Sequence, residues 1–250
     1  MKKLMAANWK MHKTRAEARD TARDLVGLIA DKLPQDREVL LIPAFTALVD
    51  VAQSLAGVPG FLTGAQNFYP ETHGAFTGEI SPAMLADAGA THVLTGHSER
   101  RHVLSESDTM VGRKTAFGLG AGLGVILCVG ETIKERQASR VAEVLGRQLS
   151  AGLADVSEDL AQRLVVAYEP VWAIGTGVTA QTSDILQAHA LVRAKLKELL
   201  PVGGASVRIL YGGSVKPDNA GEIIGLDNVE GVLVGGASLA ADSFSRIVLA

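Results

Sequence analysis

Residues 164 to 177 read LVVAYEPVWAIGTG. Leu164 to Tyr168 run without a charged residue, then stop at a carboxylate, Glu169, pinned by Pro170. A half-buried strand alternates polar with apolar side chains, whereas a strand covered on both faces, as in a parallel sheet, reads as a continuous apolar run. The stretch is therefore expected to be a buried parallel strand with an acid at its C-terminal end. The loop that follows is apolar at Val171, Trp172, Ala173 and Ile174 and ends in Gly175-Thr176-Gly177. Surface turns are usually polar, so this one is expected to cover something.

Working outward, seven more runs share the pattern: Leu4 to Ala7, Val39 to Ile42, Phe61 to Ala65, Thr91 to Thr95, Gly124 to Val129, Val207 to Tyr211 and Gly231 to Val234. Helix-like segments lie between them. From Arg15 to Leu33 the residues Ala18, Ala22, Leu25, Val26, Ile29 and Leu33 follow helical spacing. Ser81-Pro82 reads as a helix start, with a capping hydroxyl and proline at the first helical position. Thr182-Ser183-Asp184 opens an amphipathic run through Leu200 that Pro201 ends, and Ala138 to Leu149 and Leu239 to Leu249 are patterned similarly. Eight strand–helix units in 250 residues match a closed α/β barrel of eight parallel strands surrounded by helices, (β/α)8, with residues 1–250 as one domain. An open doubly wound sheet is the alternative.

Composition narrows the function. At 47% hydrophobic the chain can bury one sizeable core, and a net charge of −3 with both signs scattered leaves no basic stripe for nucleic acid. The single cysteine, Cys128, forbids an intrachain disulfide and lies in an apolar run, where a buried structural thiol is favoured over a nucleophile. Lys2-Lys3 precedes only Leu4 to Ala7, too short for a signal segment, and no run approaches a membrane span. The cytoplasm is the expected compartment. Gly118 to Gly124 mimics a dinucleotide loop but precedes a strand instead of following one, and His97 and His102 find no acid or thiol partners for zinc. No metal or nucleotide is expected.

Active sites of such barrels lie at the C-terminal ends of the strands. Just past those ends come Asn8 and Lys10, Gln66-Asn67, His97 and Glu99, Gly130-Glu131, Glu169, Gly212-Gly213-Ser214 and Gly235-Gly236. Each has a plainer reading: Lys10 as a solvated lysine, His97 as a satisfied core histidine, Glu169 as a cap or surface acid, the glycine pairs as tight turns. Their convergence favours chemistry. A lysine at the mouth supplies charge for a phosphate or oxyanion, and an imidazole at a short helix start is suited to act as a neutral donor. A carboxylate walled by apolar groups is a stronger base than a solvated one. Glycine turns after the seventh and eighth strands are where this barrel class binds phosphate through backbone N–H groups. Together they suggest proton transfer beside a carbonyl on a small phosphorylated molecule, with no cofactor; aldose–ketose isomerisation fits.

Asn8-Trp9-Lys10, Gly96 to Arg101 (GHSERR), Cys128 to Thr132 (CVGET), Tyr168 to Gly177, Tyr211 to Val215 (YGGSV) and Gly235 to Ser238 (GGAS) resemble the triosephosphate isomerase family, in that family's order and across essentially the whole chain. The resemblance implies a TIM barrel that interconverts dihydroxyacetone phosphate and D-glyceraldehyde 3-phosphate in glycolysis and gluconeogenesis. It implies Glu169 as base, His97 as neutral electrophile, and Lys10 and Asn8 near the substrate oxygens. Gly175, Ser214, Gly235 and Gly236 would donate to the phosphate. Glu99 would hold Lys10, and Glu131 would anchor Trp172 while the lid is open. It further implies a homodimer through the loop Gln66 to Glu79, with Thr77 bracing the neighbour's Asn8 and His97. The chain departs from the family at Val178, where a lysine is common. The competing readings are a Schiff-base aldolase using Lys10 as nucleophile and a non-catalytic barrel that binds a sugar phosphate.

Overall fold

The computed structural model describes residues 1–175 and 179–250; Thr176 and Gly177 of the loop, and the departure at Val178, lie outside the described residues. Its strands are β1 Lys3–Asn8, β2 Arg37–Ile42, β3 Phe61–Ala65, β4 His92–Thr95, β5 Gly124–Val129, β6 Leu164–Tyr168, β7 Arg208–Tyr211 and β8 Gly231–Val234. They pair in chain order, all parallel, and β8 returns to β1 through Leu4↔Gly231 to Ala7↔Val234, which closes the barrel. The closure excludes an open doubly wound sheet. Thr91 and Val207 fall just outside the strands to which the apolar pattern assigns them.

The helices are α1 Arg15–Ile29, α2 Leu48–Leu55, α3 Pro82–Asp87, α4 Ser98–His102, α5 Asp108–Gly120, α6 Ile133–Gln137, α7 Val141–Gly152, α8 Thr182–Leu199, α9 Ala220–Ile224 and α10 Ala241–Leu249. In α1 the spaced residues Ala18, Ala22, Leu25 and Ile29 are the buried face, and Glu17 accepts from the Thr14 N–H at 2.8 Å to close the first turn. The α-helix ends at Ile29 and Ala30–Lys32 tighten into a 3-10 turn, short of Leu33. Ser81 caps α3 as its sequence suggests, accepting from Met84 N–H. The cap of α8 is Gln181, whose N–H donates to Asp184 at 3.1 Å, while Thr182 donates to Glu222 at 2.7 Å.

Helix α5 is the element that periodicity conceals, because Gly112, Gly118 and Gly120 dilute its apolar face. Gly112 lies where α5 meets α7: a Cβ there would stand 2.2 Å from the Ala151 carbonyl oxygen. Gly112 lets the two helices approach backbone to backbone.

Continuity of the apolar runs follows from the two faces of the barrel wall. Leu4, Ala6, Leu40, Ile42, Leu94, Ile126, Cys128, Val165, Ala167, Leu210 and Leu233 fill the interior. The alternate residues, among them Met5, Val39, Leu41, Val125, Val166, Tyr168 and Tyr211, pack against the helices. Burying each such aliphatic side chain stabilises by about 1.5–3 kcal/mol before chain entropy is counted. Among the described residues no helix is long and apolar enough to cross a membrane.

Candidate active site

The strand ends deliver the polar groups to one rim. Asn8 is the last residue of β1 and is buried; its Oδ1 accepts from the Lys10 N–H at 2.9 Å. Lys10 has a positive φ of 52°, a conformation that favours glycine. The Gln66 side-chain amide holds the following carbonyl, donating to Lys10 O at 2.8 Å and to Ile42 O at 3.1 Å. The backbone at position 10 is thus clamped from both sides, and the ammonium is presented to Glu99 at 2.7 Å.

His97 is the N-cap of α4. Its Nδ1 accepts from the Glu99 N–H at 3.3 Å, which fits a neutral ring carrying its proton on Nε2. That Nε2 faces Glu169 Oε1 at 3.2 Å. The other carboxylate oxygen of Glu169 accepts from the Ser98 N–H at 2.8 Å, so both oxygens are engaged in a residue that is only 2% exposed. The floor under it is tightly built. Gly130 packs against the Glu169 peptide so closely that a Cβ would lie 1.8 Å from Glu169 O. Gln148 from α7 holds Gly130 at both ends, accepting from its N–H at 2.8 Å and donating to its carbonyl at 3.2 Å. Burial, then the charge of Glu169, pushes the Cys128 thiol well above its ordinary pKa, which makes it an inert wall of the interior.

Asn8, Lys10, His97, Glu169, Gly175, Ser214, Gly235 and Gly236 line a single cavity of about 270 Å³, with Gly212, Gly213 and Lys216 beside them. The volume suits a molecule of a few heavy atoms. Lys10 lies against the last strand's loop: a side chain at Gly235 would press on Lys10 Cε at 3.3 Å. The donors after β7 and β8 therefore face the same space as the cation and the carboxylate.

Trp172 sits in a 3-10 turn, Val171–Ala173, directly after Glu169-Pro170. Its Nε1–H donates to Glu131 at 2.8 Å; the same carboxylate oxygen accepts from Tyr168 OH at 3.1 Å and from Arg136 at 3.2 Å. The Arg136 guanidinium lies 4.8 Å from the centre of the indole ring. Thr77, expected to reach a neighbour's site and not its own, is exposed on the segment between β3 and α3 and does not line this cavity. Among the described residues no group of His, Cys, Asp or Glu could hold a metal ion.

A family model described as triosephosphate isomerase matches residues 3–250. The chain belongs to the triosephosphate isomerase family. Two triosephosphate isomerases illustrate the range of its relatives in the family. That of Nitratidesulfovibrio vulgaris strain Miyazaki F is 63% identical over 251 residues, covering 100% of both chains. That of Lawsonia intracellularis is 48% identical, covering 99% of this chain and 98% of its own. Among solved structures of the family, the triosephosphate isomerase of Bartonella henselae superposes with a TM-score of 0.88 at 40% identity, over 99% of this chain and 98% of that one.

Several contributors carry no sequence signal. Ser98 holds Glu169 with its backbone N–H, which any residue supplies. Gln148 acts from the middle of a helix, where an isolated glutamine reads as a surface residue. Glu131 serves Tyr168 and Arg136 as well as Trp172, a convergence visible only in three dimensions.

Proposed function

We propose that this chain, one domain over residues 1–250, interconverts dihydroxyacetone phosphate and D-glyceraldehyde 3-phosphate, with Glu169 as the base and neutral His97 as the electrophile. The observation that carries the reading is the shared cavity: base, imidazole, cation and two sets of glycine-loop donors all line one small space. Glu169 takes a proton from the carbon next to the substrate carbonyl, and the electron pair of that C–H bond moves through carbon to the carbonyl oxygen. The resulting enediolate is stabilised by donation from His97 Nε2–H, with Lys10 and Asn8 near the oxygens. His97 gives its Nε2 proton to the former carbonyl oxygen and takes back the proton of the neighbouring hydroxyl. Returning the carbon-bound proton from Glu169 to the neighbouring carbon then gives the isomer, so atoms and charge balance with no external reductant. Ser214, Gly235, Gly236 and Gly175 receive the phosphate.

Both Glu169 oxygens are occupied, by Ser98 and His97, so the carboxylate must leave Ser98 to reach substrate. A lid beginning at Pro170 couples this to closure: release of Trp172 from Glu131 moves the segment that also carries Glu169 and Gly175. Closing would exclude water and strengthen each contact. A homodimer through Gln66 to Glu79, with Thr77 reaching the neighbour's Asn8 and His97, and a cytoplasmic location complete the proposal. The exposed apolar side chains of Met11, Phe45, Phe76, Val103 and Leu104 support such an interface.

The test is turnover of glyceraldehyde 3-phosphate in a coupled assay, with Glu169→Gln beside the native chain. Removing the base is expected to lower the rate by about 10³-fold or more while analogue binding persists. Turnover within tenfold of native would remove Glu169 from the role of base. Borohydride reduction that traps substrate on Lys10 would instead support a Schiff-base aldolase.

A further inference from the structure

We propose that Lys216 captures the phosphate dianion at the mouth of the cavity, a charge that the backbone donors need but do not themselves supply. The inference rests on reading that cavity as a phosphate site. Lys216 lines it together with Gly213, Ser214, Gly235 and Gly236. Its main chain is fixed: the N–H donates to Asn219 Oδ1 at 2.7 Å, and the carbonyl accepts from the N–H groups of Asn219 at 3.2 Å and Ala220 at 3.0 Å. The side chain therefore springs from a rigid point at the lip. Among the described residues it forms no ion pair, and the nearby Asp218 is engaged by Arg246 at 3.3 Å.

The balance of charge explains why such a cation matters. Lys10 is committed to Glu99 at 2.7 Å, beside the cavity, and Glu169 is the carboxylate that lines the cavity itself. Without Lys216 the carboxylates outnumber the ammonium groups, and a dianion approaching a chain of net charge −3 meets a repulsive mouth. Backbone N–H dipoles act only at contact distance, whereas a free ammonium acts across roughly a Debye length, about 8 Å at physiological salt. Lys216 is thus a binding and steering residue, distinct from the groups that move the proton.

The experiment compares native, Lys216→Gln and Lys216→Arg chains by sulfate titration calorimetry and by steady-state turnover of glyceraldehyde 3-phosphate, at low and at high ionic strength. One partly solvated charge acting on a dianion is worth about two- to fivefold at low salt, shrinking to less than about twofold near 0.5 M. The proposal predicts that Lys216→Gln weakens sulfate binding and lowers kcat/KM by that factor, chiefly through KM, and that Lys216→Arg restores both. If native and Lys216→Gln chains bind sulfate equally at low salt, the proposal is overturned; a loss of sulfate affinity independent of salt, or unrestored by arginine, overturns it too. Failure of the native chain to turn over triose phosphate would sink the isomerase reading instead. The sulfate titration still decides Lys216 in that case, because it requires no reaction.

Discussion

Gly130 offers a severe test of how the proposed base, Glu169, is positioned. In Gly130→Ala the new methyl carbon would lie 1.8 Å from Glu169 O and 2.6 Å from its carbonyl carbon. An ordinary carbon–oxygen contact is about 3.3 Å, so the two strand ends must separate by about 1.5 Å. Neither is free to yield. Gly130 is gripped by Gln148, and Glu169 N–H donates to Val129 O at 2.7 Å. Relief must displace the peptide that carries the carboxylate, and a misplacement of about 1 Å costs on the order of 100-fold in rate. Overpacking adds about 1–3 kcal/mol of destabilisation. We expect a purified Gly130→Ala chain, shown folded by circular dichroism and a urea midpoint, to lose at least about 100-fold in kcat in the triose phosphate assay. A folded variant with kcat within about threefold of native would refute the claim that this contact sets the position of Glu169.

Two further outcomes follow from the structure. Alanine at Gly146 in α7 meets nothing within 4 Å and should stabilise the chain by up to about 1 kcal/mol through helix propensity, whereas alanine at Gly112 in α5 meets Ala151 O and should destabilise it by about 1–3 kcal/mol. Urea midpoints that shift in the same direction for both would contradict the packing described for these helices. Burial holds His92 and His189 neutral, each with its pKa pushed down to about 4 from 6.5. A histidine depressed on folding contributes stability fully present above about pH 6.5 and lost as pH falls toward 4, roughly 2 kcal/mol for each between pH 7.5 and 5. His189→Gln should flatten that decline in urea unfolding; an unchanged slope would mean the ring is not buried neutral.

The barrel was legible because both faces of its wall are apolar, so Gly124 to Val129 or Leu164 to Tyr168 announces a strand without any alternation. Helix α5 was not, because Gly112, which lets α7 approach, together with Gly118 and Gly120, weakens the period that marks a helix. Gly203-Gly204 looks like a plain loop in sequence, yet a Cβ at Gly204 would meet the Leu196 carbonyl at 2.2 Å. Glycines required by contact and glycines tolerated in turns are indistinguishable until the neighbour is known. At the site, Lys10, His97 and Glu169 stood out because each follows an apolar run. Ser98 and Gln148 did not, because a backbone donor or a lone helical amide gains meaning only from what it touches.

The left-handed backbone at Lys10 has a consequence for how the molecule can be improved. A non-glycine residue held at φ 52° carries about 1–3 kcal/mol of strain, sustained by the Asn8 and Gln66 clamps. Glycine would relax that strain and delete the ammonium in one step. A screen that rewards heat resistance alone would therefore drift toward glycine at this position and return sturdier barrels with an empty cation seat. Only selection that also reads turnover would keep the lysine.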